Sequence, residues 1–256
     1  MKIVVSVKQV AVLGDEIEFR PDERDVDRDV VEVALNEWDT FATEEALRLR
    51  ERVASDGEVV IVSVGDEEAD EAMRRCLAMG ADRGVRIWTE DLAGADPLTV
   101  ARALAGRIAH ERPDLVLAGV QSSDSVQAAT GTALAEFLDL PRVAVVTKVE
   151  YDHEAKRATV HRELEGGLVD VVEVETPALL TIQTGINEPR YATLRAIKQA
   201  EQKEIAVVAP DDLPEPAYRV RRMFLPSRGE GAEMLDGNPA AVAQRIAEIV
   251  RERLSA

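Results

Sequence analysis

The 256-residue sequence holds a single cysteine, Cys76, so neither a disulfide within the chain nor a cysteine-rich metal site can form. Cys76 sits in an apolar helical stretch, Met73 to Met79, and reads as a core residue. Histidine is scarce too: His110, His153 and His161 lack partners at metal-ligand spacing, so no metal is expected. No apolar run approaches the length of a membrane span. Met1 leads directly into a strand, so no signal peptide is expected and the expected location is cytoplasmic. Positive charge is in deficit: 31 Lys and Arg face 49 Asp and Glu, a net charge of −18, which makes nucleic acid and anionic membranes poor partners. Neither a GxGxxG nor a Walker A motif occurs. No catalytic triad or metal cluster can be picked out, and any carboxylate pair chosen among so many acids would be arbitrary.

What is present is alternation. Lys2 to Val10 reads as a first buried strand, followed by an acidic irregular stretch, Gly14 to Asp29, in which Ile17 and Phe19 suit a short hairpin. Phe41 to Glu51 is a strong helix, with Asn36 or Asp39 expected as its cap. Glu58 to Val64 is a strand; Gly65-Asp66 turns into a helix that Gly80 stops. Gly84 to Trp88 is a strand and Pro97 to His110 a helix. Strands and helices in alternation with short connections predict an α/β fold, a mostly parallel twisted sheet with helices on both faces.

Residues 114–138 organise the chain. Leu115 to Ala118 is a short buried strand; Gln121-Ser122-Ser123-Asp124 is a small polar loop. Val126, Ala129, Ala133 and Phe137 recur at helical spacing, and Ser123 or Asp124 is the expected cap. A hydroxyl-rich loop at a helix N-terminus favours phosphate, because free N–H groups and the helix dipole attract an anion. In parallel sheets ligands bind beyond the carboxyl ends of the strands. Those ends carry Ser6 to Gln9, Val64-Gly65 and Gly119 to Asp124, three segments expected to converge around a nucleotide.

After Pro141 the pattern changes to four strands, Val143 to Tyr151, Ala158 to Glu163, Leu168 to Glu175 and Ala178 to Thr181, which adds an antiparallel section. Gly185 to Ala200 is a loop running into a short helix, with Leu194 among polar residues. Beyond Pro210 the prolines 214, 216 and 226 with glycines 229, 231 and 237 describe an extended arm. The arm ends in a helix, Pro239 to Leu254, with Ala243, Ile246, Ile249 and Val250 on one apolar face. The expected organisation is a nucleotide-binding domain over 1–208 and an arm over 209–256 that lies on a partner subunit.

Four stretches carry a family resemblance over Met1 to about Val208: Val4-Val-Ser-Val-Lys-Gln-Val10; Leu77-Ala-Met-Gly-Ala-Asp-Arg-Gly84; Val160-His-Arg-Glu-Leu-Glu-Gly-Gly167 continuing to Pro177-Ala-Leu-Leu-Thr181; and Asn187-Glu-Pro-Arg-Tyr-Ala-Thr-Leu194. Together and in order, they resemble the electron transfer flavoprotein β subunits, with Asp170 where a longer Glu or Gln is usual. The resemblance implies a heterodimer. Its α subunit carries most contacts to a redox FAD, and the β subunit binds AMP. It takes electrons from dehydrogenases, such as acyl-CoA dehydrogenases, and passes them to a quinone oxidoreductase, with no bond chemistry of its own. Carried over, the AMP segments fall on Ser6, on Asn36, Glu37, Trp38 and Asp39, on Val64, and on Gly119, Val120, Gln121, Ser122, Ser123, Asp124, Ser125, Val126, Gln127, Ala128, Ala129 and Thr130. Leu194, with Arg190 and Tyr191, matches the family's recognition loop for dehydrogenases, and Arg162-Glu163 matches residues facing the α subunit's mobile flavin domain.

Three departures stand out. Ala128 and Ala129 occupy positions where AMP-binding members usually have Asn and Gln; Thr130-Gly131-Thr132 stands where electron-bifurcating members, which hold a second FAD in the same place, commonly have Val-Gly-Pro; and Asn36 is not followed by the usual proline. AMP is the expectation, because Thr130 is kept, and a second FAD is the alternative. A stand-alone ATP-binding stress-type protein is the more distant one, and it would lack both the recognition turn and the long arm.

Overall fold

The computed structural model describes residues 1–14, 17–53, 56–226, 232 and 234–254. Residues 15 and 16 of the acidic stretch and Gly229 and Gly231 of the arm lie outside the described residues. The chain divides into two compact units, Met1–Met223 and Phe224–Ala256.

The first unit is built on β1 (Lys2–Ser6), β2 (Gln9–Val12), β3 (Glu32–Leu35), α1 (Glu37–Val53), β4 (Glu58–Val64), α2 (Ala69–Met79), β5 (Arg83–Ile87), α3 (Pro97–Glu111), β6 (Leu115–Gly119), α4 (Thr130–Phe137), β7 (Arg142–Asp152), β8 (Arg157–Glu163), β9 (Val169–Glu175), β10 (Ala178–Ile182), α5 (Leu194–Ala200) and β11 (Ile205–Val208). Nine strands form one sheet in the order β11-β5-β4-β1-β6-β10-β7-β8-β9. From β11 to β7 every pairing is parallel; β7-β8 and β8-β9 are antiparallel. The Val- and Leu-rich central strands are apolar at successive positions because both faces are covered. Alternate residues Ile3, Val5, Val59, Ile61, Leu115 and Leu117 pack with Ala42, Ala46 and Leu47 of α1 and Met73 and Leu77 of α2. Val4, Val60, Val62 and Val116 pack on the other side with Leu104 and Ile108 of α3 and Leu134 of α4.

Local signals explain most boundaries. Asp96 caps α3, its carboxylate accepting from the N–H groups of Leu98 and Thr99, with Pro97 at the first helical position. Gly80, at φ 134°, ends α2 and returns its N–H to the carbonyls of Cys76 and Leu77. Cys76 is fully buried, as its setting predicts, and burial pushes its thiol up to about 12.

The structure corrects several local expectations. The first apolar run is not one strand: β1 stops at Ser6, and β2 leaves to pair antiparallel with β3. By contrast, the acidic stretch does form a short hairpin: Phe19 bridges Val26 antiparallel, flanked by bonds from the Arg20 N–H to the Asp25 carbonyl and from the Asp27 N–H to the Glu18 carbonyl. The fourth late strand, β10, is not part of the antiparallel section but is inserted in parallel between β6 and β7. The helix expected from the 121–124 loop starts only at Thr130, and neither Ser123 nor Asp124 caps it. Its buried face is Gly131, Leu134 and Ala135, whereas Val126 and Phe137 are exposed, because Val126 (φ 51°) and Ala128 (φ 50°) turn the chain out of helical geometry.

After β11 the chain runs along the surface of the same unit as far as Met223. Leu213 joins the α3–α4 side of the core, the Ala217 N–H donates to Asp96, and the Met223 N–H donates to the Glu23 carbonyl. The second unit contains α6 (Pro239–Leu254), in which no residue is buried and Ile246 and Val250 are each 49% exposed.

Candidate functional site

From β1 the chain crosses to α1 on one face of the sheet; from β6 it crosses to α4 on the other. β1 and β6 are neighbours, so their carboxyl ends open a crevice where connections depart to opposite sides. Ser6 closes β1 in register with Val62 and Ala118, and Val64 closes β4 beside Ile87. Residues 7–9 reach both neighbouring connections: Lys8 Nζ meets Asp124 in the segment after β6, and Gln9 Nε2 donates to the Glu68 carbonyl in the segment after β4.

The start of α1 fastens these loops together. Asn36 was expected as a cap, but its side chain is used across the crevice: Nδ2 donates to the Gln121 carbonyl at 2.8 Å and Oδ1 accepts from the Ser123 N–H at 3.2 Å. Asp39 is not a cap either. It lies in the first turn of α1 with 5% exposure, and its two oxygens accept from the Lys8 N–H (2.8 Å) and the Gly119 N–H (2.9 Å). Burial pushes the Asp39 carboxyl up to about 7, against these bonds, the Asn36 side chain and the Lys8 charge. Gly119 is required by this approach: a Cβ there would fall 2.5 Å from Asp39 Oδ1 and 2.6 Å from Trp38 Cβ. Trp38 donates Nε1–H to Gln183 Oε1 at the end of β10, while Glu37 faces solvent. The Val120 N–H donates to the Ile182 carbonyl.

Lys8 is the cation of the crevice. Its Nζ lies 2.7 Å from both oxygens of Asp124 and 3.3 Å from Ser122 Oγ. Burial pushes the Asp124 carboxyl up, but Lys8 and the Ser122 hydroxyl outweigh it and hold it below its ordinary value. Ser122 and Ser125 join hydroxyls at 2.9 Å, and the Val126 N–H closes back on the Ser122 carbonyl. Gln127 Oε1 accepts from the Tyr218 hydroxyl at 2.7 Å, which ties the loop to the segment after β11. Ala129 precedes α4, and the first α4-type bond runs from the Ala133 N–H to the Ala129 carbonyl. The N–H groups of Thr130, Gly131 and Thr132 therefore have no carbonyl within the helix.

Chemically, this is a cradle of N–H and hydroxyl groups whose nearest carboxylate, Asp124, is neutralised by Lys8. That donor set fits a phosphate ester. Asn36, Trp38 and Asp39 are brought onto residues 119–123 and Ser6 lies beside Ala118, whereas Val64 closes β4 beside Ile87. Sequence reasoning places Lys8 within the Ser6–Gln9 segment without giving it a role, and misses Gln183 and Tyr218. Lys8 lies two residues past the end of β1; Gln183 and Tyr218 enter only because β10 lies beside β6 and because the segment after β11 folds back.

The recognition-turn residues lie elsewhere. Tyr191 is 99% and Leu194 82% exposed. Arg190 does not face outward: it is bonded to Glu44 and Glu51 of α1. Arg162 and Glu163 close β8, in register with Asp170 and Val169. Among the described residues no cluster of His, Cys, Asp and Glu suits a metal ion, and no helix is long and apolar enough to cross a membrane.

Residues 25–213 match the family described as the electron transfer flavoprotein domain. The chain is 46% identical to the electron transfer flavoprotein subunit beta of Methylophilus methylotrophus, over 98% of each chain. It is 38% identical to the human electron transfer flavoprotein subunit beta over 83% of each, and 34% identical to that of Bacillus subtilis over 87% of this chain and 88% of the relative. With that span of similarity on a sheet of the expected topology, the chain belongs to the electron transfer flavoprotein family, as a β subunit.

Proposed function

We propose that this chain is the carrier β subunit of a heterodimer. Its α subunit holds the redox FAD, and the crevice between β1 and β6 holds AMP. In this reading the heterodimer takes electrons from flavin dehydrogenases docked at the Leu194 turn and delivers them to a quinone oxidoreductase, in the cytoplasm. The chain's own residues bind and orient; they make and break no bonds. Loop 119–129 surrounds the phosphate, Thr130 donates its hydroxyl at the start of α4, Ser6 and Val64 line the nucleoside, and Asn36 to Asp39 hold the loop closed. Arg162 and Glu163 face the α subunit's flavin domain, where exposed charge steers docking.

The observation that carries the nucleotide reading is the pair of left-handed residues, Val126 and Ala128, in a loop tied down by Asn36, Lys8 and Tyr218. Non-glycine residues in that region are costly, and they persist where a ligand clamp is built. The test is co-expression with the α subunit, denaturation of the pure complex and chromatography of the released nucleotides. About one FAD and one AMP per heterodimer is expected. Two FAD and no AMP would make the same loop part of a second redox centre, and one FAD with nothing else overturns a nucleotide in the crevice.

A further inference from the structure

Residues 186–194 carry two of the most exposed apolar side chains of the first unit, Tyr191 and Leu194, yet the backbone between them is fixed at nearly every step. Ile186 and Ala192 pack into the core under α1. Asn187 Nδ2 donates to the Phe41 carbonyl and to Glu45 Oε2, each at 3.1 Å. Arg48 donates to the Glu188 carbonyl at 2.8 Å. Thr193 caps α5, accepting from the Ala196 N–H.

Arg190 is the centre of this fastening. Its Nε and its own backbone N–H donate to Glu44 Oε2 at 2.8 and 3.2 Å, and Nη2 donates to Glu44 Oε1 at 3.1 Å. The far edge of the guanidinium reaches Glu51 at 2.7 and 3.1 Å. Glu44 is 2% exposed; burial pushes its carboxyl up, but Arg190 and Arg48 outweigh this and hold it below its ordinary value. A buried ion pair is a poor source of net stability, because desolvation offsets most of the attraction. What a planar fork gripping two carboxylates supplies is a fixed geometry.

We propose that Arg190, clamped between Glu44 and Glu51, is a positioning residue for electron-donor docking. It holds Tyr191 and Leu194 in the conformation a partner protein binds, and makes no contact with the partner itself. The proposal rests on the docking reading of the Leu194 turn. Holding exposed apolar side chains in advance removes the ordering cost at encounter, which for two side chains is worth roughly a tenfold change in affinity.

The experiment uses the αβ heterodimer with an acyl-CoA dehydrogenase as reducing partner, and reads KM for the heterodimer, kcat and amide hydrogen exchange. Leu194→Ala tests the docking reading. Arg190→Gln, Arg190→Lys and Glu51→Gln test the proposal; Glu51 is 49% exposed, so its variant leaves the fold intact. Arg190→Gln is expected to raise KM about tenfold with kcat unchanged, and to speed exchange at residues 191–197 about tenfold while the sheet stays protected. Glu51→Gln is expected to move both in the same direction by less. Arg190→Lys keeps the charge but not the fork and should not restore KM. Full restoration by lysine would mean charge steering and overturn the proposal, as would faster exchange across the whole sheet or an unchanged KM in Arg190→Gln while Leu194→Ala raises it. An unchanged KM in Leu194→Ala overturns the docking reading itself.

Discussion

Replacing Gly119 by alanine is the sharpest test of how the crevice is closed. The new methyl carbon would fall 2.5 Å from Asp39 Oδ1, 2.6 Å from Trp38 Cβ and 3.1 Å from the Trp38 carbonyl carbon. None of these can step aside easily. The Trp38 atoms belong to the first turn of α1, and the Asp39 carboxylate is held at its other oxygen by the Lys8 N–H. Relief requires α1 to move away from β6, which breaks the 2.9 Å bond from the Gly119 N–H. Overpacking of this kind costs about 1–3 kcal/mol, and leaving the Gly119 N–H and the buried Asp39 oxygen without each other about 1–3 kcal/mol more. A total of about 4 kcal/mol lowers the melting temperature of a domain this size by roughly 10 °C. The measurement is thermal unfolding of the αβ heterodimer, followed by circular dichroism, alongside the released-nucleotide assay. Gly131→Ala is the control. Its added carbon closely meets one atom, the Thr181 methyl at 2.8 Å, where that of Gly119 meets two, so it should lose less stability. A Gly119→Ala melting temperature within about 2 °C of the parent would refute the argument that the Asp39–Gly119 contact is closed.

Four further outcomes are expected. Asp39 should titrate near neutrality, with a carboxyl midpoint of about 7 by carbon NMR, because burial dominates its environment. Its native value lies above its ordinary 3.8, so its contribution to stability is full below that value and is lost as pH rises through about 7; a midpoint below about 5 would show that its N–H donors win instead. Glu44, Glu58 and Glu111 are held low by their arginines, so their contributions run the other way, present above 4.5 and lost as pH falls through their native values. Glu111→Gln should cost about 3 kcal/mol in urea unfolding, because Glu111 is 4% exposed and binds Arg83, Arg107 and Lys2 at 2.6, 2.6 and 3.2 Å. Since that cluster lies at the opposite end of the strands, nucleotide content should not change. Lys8→Met leaves Asp124 without its cation and should reduce AMP retention several-fold, with a stability change under about 1 kcal/mol, because Lys8 is 44% exposed. Equal retention would place the phosphate away from Asp124.

The alternation of strands and helices, and with it the edge of the sheet where the β1 and β6 loops lie, is legible in the sequence. Those features rest on near-neighbour chemistry: apolar runs for β1, β4 and β6, Pro97 and Asp96 at the start of α3, Gly80 at the end of α2. Strand alternation also implied which loops meet, since parallel strands put all carboxyl ends on one edge. The 119–130 segment was found as a loop, but its helix was started too early. Val126, Ala129, Ala133 and Phe137 do have helical spacing, yet the crevice claims residues 121–127 through Asn36, Lys8 and Tyr218, all remote in sequence. The same competition turned Asn36 and Asp39 from helix caps into braces across the crevice. A polar side chain near a helix start satisfies local N–H groups unless a closer partner is brought from another loop, and no spacing rule contains that information.

By itself, then, the sequence determined the family and the α/β class, because four local motifs and one hydrophobic rhythm are enough to specify them. Tertiary structure alone decided that β10 enters between β6 and β7, that Asp39 is buried against Lys8 and Gly119, and that Arg190 points inward to Glu44 and Glu51. Each of these joins residues tens to more than a hundred positions apart, and the energy that fixes them comes from excluding water between those residues, which exists only once the chain has folded.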